Sequence, residues 1–171
     1  MFAYVGAEVT IGTLLTNYLM RPDILHAAPV AAGRLVSVYW GGAMVGRFVG
    51  AALMRWIAPA RLLVGVACDA TALTIAAVFA RGMFGAGALL AVGLMNAVMY
   101  STIFALALPD NAKTAPLASM WLCMAVVGGA VVPVLTGVVA DASDLPLALM
   151  VPAICYFGIA AFGRSAKPRA V

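Results

Sequence analysis

The stretch Ser37–Leu53, SVYWGGAMVGRFVGAAL, decides how the chain must be read. It is long enough for most of a bilayer crossing, since about 20 apolar residues in a helix span roughly 30 Å of hydrocarbon. It also contains Arg47, set among Gly, Val, Phe and Ala with no other charge within seven residues. A permanent cation at depth in lipid normally finds a partner or a water-filled cavity. The segment therefore implies a membrane helix with an interior to face.

Composition extends that reading to the whole chain. Its 171 residues are 65% hydrophobic and 9% charged, with a mean hydropathy of +1.10. A soluble domain is roughly half apolar and about a quarter charged, so most side chains here must be solvated by lipid. The net charge of +4 is carried by scattered basic residues, which excludes a nucleic-acid surface with clustered cations and interleaved aromatics. Cys68, Cys123 and Cys155 all lie in apolar runs. Odd in number and widely spaced, they support neither a disulfide framework nor a zinc site and read as small hydrophobes. His26 is the only histidine and falls in a loop segment, so no haem, metal or other cofactor is expected. The chain also lacks G-x-S-x-G, phosphate-loop and paired-histidine motifs. An intramembrane enzyme, the alternative from another class, would need a nucleophile with its base.

Six apolar runs are separated by polar or proline-containing breaks, at residues 2–20, 35–57, 62–80, 83–108, 117–140 and 146–163. The first begins at Met1 without a basic flank and reads as a span, not a secretory leader. None alternates in the manner of a β-barrel strand. The expected fold is all-α: a polytopic membrane protein with six transmembrane helices in one domain, 1–171. Arg55, Arg61, Lys113, Arg164, Lys167 and Arg169 fall on one side, and Arg21, Arg34 and Arg81 on the other. That excess places both termini in the cytoplasm, hence an integral inner-membrane protein.

Five segments then carry a family resemblance: YVGAEVTIGTLLTNYL, YWGGAMVGRFVG, NAVMYSTIFALAL, LCMAVVGGAVVPVLTGVVAD and VPAICYFGIAAFG. Taken in order, they resemble the second half of the fucose permease and glucose/galactose transporter family, within the major facilitator superfamily. The resemblance implies one half of a twelve-helix sugar–proton symporter built from two six-helix halves. The six runs would correspond to the seventh through twelfth helices. Tyr100-Ser101-Thr102 departs from the family, which has an aromatic residue followed by proline there. The family's proton-coupling carboxylates lie in the first six helices, so no residue here inherits that role. The implied function is the carboxyl-terminal half of a carrier for a neutral hexose such as fucose, glucose or galactose. It would work by alternating access with a missing amino-terminal half or a second copy. The alternatives are a truncated, non-transporting remnant and a homodimerising six-helix membrane protein. The expected partners are the lipid bilayer and a monosaccharide.

Several residues are candidates for that work. Arg47 lies roughly 12–15 Å inside the cytoplasmic boundary at 1.5 Å per residue. Asp69 lies at similar depth in the next helix, so an Arg47–Asp69 pair is expected as a clamp or gate. The other readings are direct sugar contact and a snorkelling arginine. GRFVGAALMRWIAPARL also resembles a degenerate copy of the superfamily's cytoplasmic loop motif, which favours the gate. Gly42, Gly46 and Gly50 form a small-residue stripe suited to close helix packing. Gly128, Gly129 and Pro133 weaken their helix and invite a kink. Glu8 suits a proton site or a sugar-hydroxyl acceptor, with an interhelical hydrogen bond as the plainer reading. Asn17 lies two and a half turns on and faces almost opposite Glu8. Asn96 offers donors and an acceptor to a sugar, Tyr100 shares its face one turn on, and Ser101 and Thr102 follow. An interhelical hydrogen bond is the competing role for Asn96. Tyr39 and Trp40 read as interface aromatics or a sugar-ring platform.

Overall fold

The computed structural model describes Met1–Ala166, and every regular element in that range is helical. Lys167 and Arg169, used above for orientation, lie outside the described residues. The helices are α1 (Phe2–Met20), α2 (Pro29–Leu53), α3 (Pro59–Phe79), α4 (Gly82–Asn96), α5 (Met99–Ala107), α6 (Ala115–Met124), α7 (Gly128–Ala142), α8 (Leu145–Ala148) and α9 (Met150–Ser165), with a 3-10 turn at Ala125–Val127 between α6 and α7.

Proline marks several starts, because its fixed φ and missing N–H cost nothing in a first helical turn. Pro29 and Pro59 open α2 and α3. The second helix therefore begins well before residue 35: Pro29 starts it where a breaker was expected, and Arg34 is helical. Asp144 caps α8 by accepting from the Leu147 N–H at 2.9 Å.

Pro29–Leu53, Pro59–Phe79, Ala115–Ala142 and Leu145–Ser165 are long and apolar enough to cross a bilayer, with mean hydropathies of 1.2 to 2.3. The expected span 83–108 is instead two helices, α4 and α5, meeting at a 40° bend. A break in lipid is tolerated only where the freed backbone groups find partners. Here Tyr4 donates to the Asn96 carbonyl at 3.2 Å, while the Val98 carbonyl already accepts the Thr102 N–H of the next helix. α1 has 19 residues and carries Glu8, Thr10, Thr13, Thr16 and Asn17, more polar side chains than α2 or α3 holds.

That polarity matches its place. α2, α4, α3 and α9 pack in sequence as an arc, α3 against both α4 and α9. α1 lies in the hollow, against α2, α4, α9 and α7. Its inner face is filled by Tyr4, Ala7, Ile11, Leu15 and Tyr18, all essentially inaccessible. The arc separates α2 from α3, because α4 stands between them. Successive helices are usually neighbours, and the expected Arg47–Asp69 clamp assumed as much. The structure corrects it: the two residues form no ion pair, and each is exposed on a helix that packs elsewhere.

Glycine sets the closest crossings. A Cβ on Gly46 would come 2.7 Å from the Leu94 carbonyl oxygen, and one on Gly50 would enter the Val98 side chain. Gly42, at the same spacing, meets only the Leu94 amide at van der Waals distance. On the other flank, Gly128 of α7 lies against the Phe2 backbone, and Gly129 faces Val5 and Val9 of α1. Pro133 is inside α7, one turn beyond the 3-10 turn and the glycine pair.

Candidate substrate cavity and polar core

The break in the α4–α5 span organises the polar groups of the interior. Asn96 is the last residue of α4 and is fully buried. Its Nδ2 donates to the Tyr39 hydroxyl of α2 at 2.9 Å, while its backbone carbonyl accepts from Tyr4 of α1. Tyr156 of α9 is also fully buried, with Asn96, Tyr39, Tyr4 and Glu8 as its polar neighbours. Asn96 Oδ1 and the Tyr156 hydroxyl both lack hydrogen-bond partners. A buried polar atom without a partner costs roughly 1–3 kcal/mol, so this core is held by four helices yet incompletely satisfied.

Asn96 is therefore a buried tie between α1, α2 and α4, which places it away from any open wall. Thr102 is 2% exposed with its hydroxyl on its own helix. It too lies in the packing and not on the cavity wall, its hydroxyl back-bonded to the carbonyl four residues earlier.

The open space lies one turn further along. Arg47, Ala51, Met54, Ala97, Val98, Tyr100 and Ser101 line a cavity of about 480 Å³ between α2 and the break. That volume is within the usual range of small-molecule sites. Tyr100 is 44% exposed, meets Tyr4 edge-on at 6.1 Å and stacks on Phe104 at 6.4 Å. Arg47 forms no salt bridge among the described residues; its charge acts on Glu8 of α1, across the α1–α2 contact. Glu8 is half-buried one turn beyond Tyr4, on the same side of α1. Arg47, Glu8, Tyr4 and Tyr100 thus form one connected group. Asn17 is exposed further along α1, outside the group. Trp40 packs edge-to-face on Tyr39 at 5.3 Å and covers Gly12.

Tyr4 and Tyr156 were not singled out by the sequence reading. Tyrosines in otherwise apolar spans were the available signal, since a buried hydroxyl usually seeks a partner. Among the described residues no group of His, Cys, Asp or Glu is arranged to hold a metal.

At the opposite end of the bundle the α1–α2 loop is tied to the start of α4. Asp23, in the α1–α2 loop, accepts from Arg21 at 2.9 Å and from Arg81 at 2.7 Å. Its backbone carbonyl accepts from Gly82 N–H, where φ of 63° favours glycine. Tyr18 donates to the Ala77 carbonyl at 2.7 Å, closing α1 onto α3.

No protein-family model matches the chain. It is 42% identical over 163 residues to the glucose/galactose transporter of Brucella abortus biovar 1 (strain 9-941), covering 95% of this chain and 40% of that protein. To the L-fucose-proton symporter of Escherichia coli (strain K12) it is 33% identical over 168 residues, covering 95% of this chain and 37% of the symporter. The crystal structure of a major facilitator superfamily transporter for fucose, in the outward conformation, superposes with a TM-score of 0.93 at 29% identity, covering 98% of this chain and 41% of that one. The chain thus spans about 40% of the length of the curated relatives it matches. Along nearly all its length it is a homologue of the glucose/galactose transporters and L-fucose–proton symporters of the major facilitator superfamily.

Proposed function

We propose that this chain is the carboxyl-terminal half of a sugar transporter, in which six spans rock against a second six-helix half to carry a neutral hexose across the inner membrane. The spans are α1, α2, α3, α4–α5, α6–α7 and α8–α9, forming one domain. The observation that carries the reading is the match of 95% of the chain to 40% of a glucose/galactose transporter at 42% identity. The geometry agrees with it. The long helix with the most polar side chains sits in the hollow of the arc, and a cavity opens between α2 and the α4–α5 break. Arg21 and Arg81 meet on Asp23, so they share an end. Arg61 and Arg164 line one cleft, which supports a cytoplasmic face for both termini.

In this reading Tyr100, Glu8 and Asn17 meet the sugar, with Asn96 holding the wall from behind and Arg47 gating the mouth. Thr102 supports the break beneath Tyr100. Co-expressing the chain with the amino-terminal part of the Brucella relative, in cells lacking hexose uptake, tests the proposal. Radiolabelled glucose, galactose or fucose should accumulate only when both parts are present. Uptake by the chain alone, with crosslinks between copies, would support the homodimer instead. A stable complex without uptake of any sugar would leave the remnant.

A further inference from the structure

We propose that the cleft between the start of α3 and the end of α9 is a binding site for the phosphodiester of an anionic phospholipid, held between Arg61 and Arg164. The inference needs only the membrane class of the chain, so it stands apart from the sugar reading. Three observations carry it. First, two cations converge on one space. Arg61, Arg164, Ala60, Val64, Gly163 and Ala166 line a cleft of about 320 Å³. Arg61 lies in the first turn of α3 and Arg164 in the last turn of α9. The two helix ends close on each other because Gly163 admits Val64: a Cβ added there would come 2.9 Å from the Val64 side chain.

Second, neither cation is neutralised. Among the described residues neither forms a salt bridge, and no carboxylate lines the cleft. The next acid along α3 is Asp69, about two turns beyond Arg61, and the chain after Asp144 holds none. Arg164 is matched by the carbonyl end of its own helix. Arg61 is not: it sits at the positive end of α3, whose N-cap Ala58 makes no side-chain hydrogen bond. Two guanidiniums sharing a cleft repel until an anion enters, and a pair of phosphate oxygens suits the guanidinium fork.

Third, the cleft runs on into exposed apolar surface. From Arg61, helical steps of three and four residues lead to Cys68, Ala72 and Ile75; from Arg164 they lead to Ala161, Phe157 and Ile154. All six are exposed. α3 stands at the back of the arc, packed on α4 and α9, away from the hollow that holds α1. An acyl chain can therefore lie along these stripes while its phosphate sits between the arginines. A free phosphate ion would gain from the arginines alone, so the stripes favour a lipid. Basic pockets between membrane helices are recurrent headgroup sites, and here the bound lipid would tie the start of α3 to the end of α9.

Native mass spectrometry of the purified chain, titrated with phosphatidylglycerol or with phosphatidylcholine of the same acyl chains, tests this. One phosphatidylglycerol per chain should bind with roughly tenfold preference over phosphatidylcholine, since two arginines meet its net charge. Arg61→Gln and Arg164→Gln should each remove most of that preference. Arg34→Gln, which removes an exposed cation at the other end, should leave it intact. Equal binding of the two lipids by the unaltered chain would overturn the proposal with no variant needed. A preference that survives both cleft substitutions would overturn it too, as would one lost equally in Arg34→Gln, the sign of diffuse charge. Inorganic phosphate, added at constant ionic strength, should not displace phosphatidylglycerol; displacement would mark an anion site without a lipid and sink the assignment. The preference is read without sugar, so its absence leaves the transporter reading untouched, and a chain that never carries sugar keeps its lipid site.

Discussion

The two ends of this bundle are built to opposite specifications. At one end Asp23 is held by Arg21 and Arg81, Gly82 donates to its backbone, and Tyr18 closes α1 onto α3. At the other, Arg47 has no salt bridge among the described residues, the α4–α5 span is broken, and a cavity of about 480 Å³ lies open beside Tyr100. Between them sits the tyrosine core around Asn96. The contrast teaches where movement within this half belongs. The tied end holds the α1–α2 loop on α4 by charge, and among the described residues the broken end has no salt bridge across its helices. A broken helix beside a binding space is a recurrent device in secondary transporters.

The contrast can be broken at its middle first. Gly46→Leu forces α2 off the Leu94 carbonyl and should be the most damaging change. Overpacking costs about 1–3 kcal/mol and sometimes more, here with loss of thermal stability in detergent and collapse of the cavity. Gly42→Ala, where space remains, serves as the mild control.

The tyrosine core is the next test, and its members should behave differently. Tyr39→Phe removes the acceptor of the buried Asn96 amide and should lower stability by about 1–3 kcal/mol. Tyr156→Phe removes a hydroxyl that has no partner, so its melting temperature should match or exceed that of the parent. Equal losses in both would mean that Tyr156 is bonded after all.

At the open end, Arg47 and Glu8 should be coupled by about 1 kcal/mol in a double-mutant cycle of stability, while Arg47 and Asp69 should be additive. Coupling between Arg47 and Asp69 would restore the clamp that the helix order denies.

At the tied end the effect is smallest and depends on acidity. The Arg21 hydrogen bonds, with the Arg21 and Arg81 charges, hold the Asp23 carboxyl below its ordinary 3.8. Because the folded value is depressed, the clamp's contribution is complete above the unfolded value and disappears as pH falls through the folded one. Thermal unfolding should therefore show a modest deficit for Asp23→Asn at neutral pH that closes in strong acid. A deficit that stays constant with pH would assign the loop's hold to Gly82 and Tyr18 instead.

The helical membrane class was legible from composition and run length, because only helices and closed barrels satisfy their backbone in lipid and these runs do not alternate as barrel strands do. The importance of Arg47, Glu8, Asn96 and the glycine stripe could be read too, since charge, amide and absent side chains stand out in an apolar run. What they touch could not. Arg47 and Asp69 sit at matching depths on consecutive helices, and nothing in their spacing reveals that α4 comes between. Tyr100 follows Asn96 by one helical turn, yet Asn96 is fully buried while Tyr100 is 44% exposed and lines the cavity. Tyr4, Tyr39 and Tyr156 are far apart in the chain, and only the closing of α1 into the arc of α2, α4 and α9 makes them neighbours of one asparagine. Sequence fixes which groups must escape lipid, because that cost belongs to each residue alone. Packing decides which of them escape together, because that depends on the order of helices around α1.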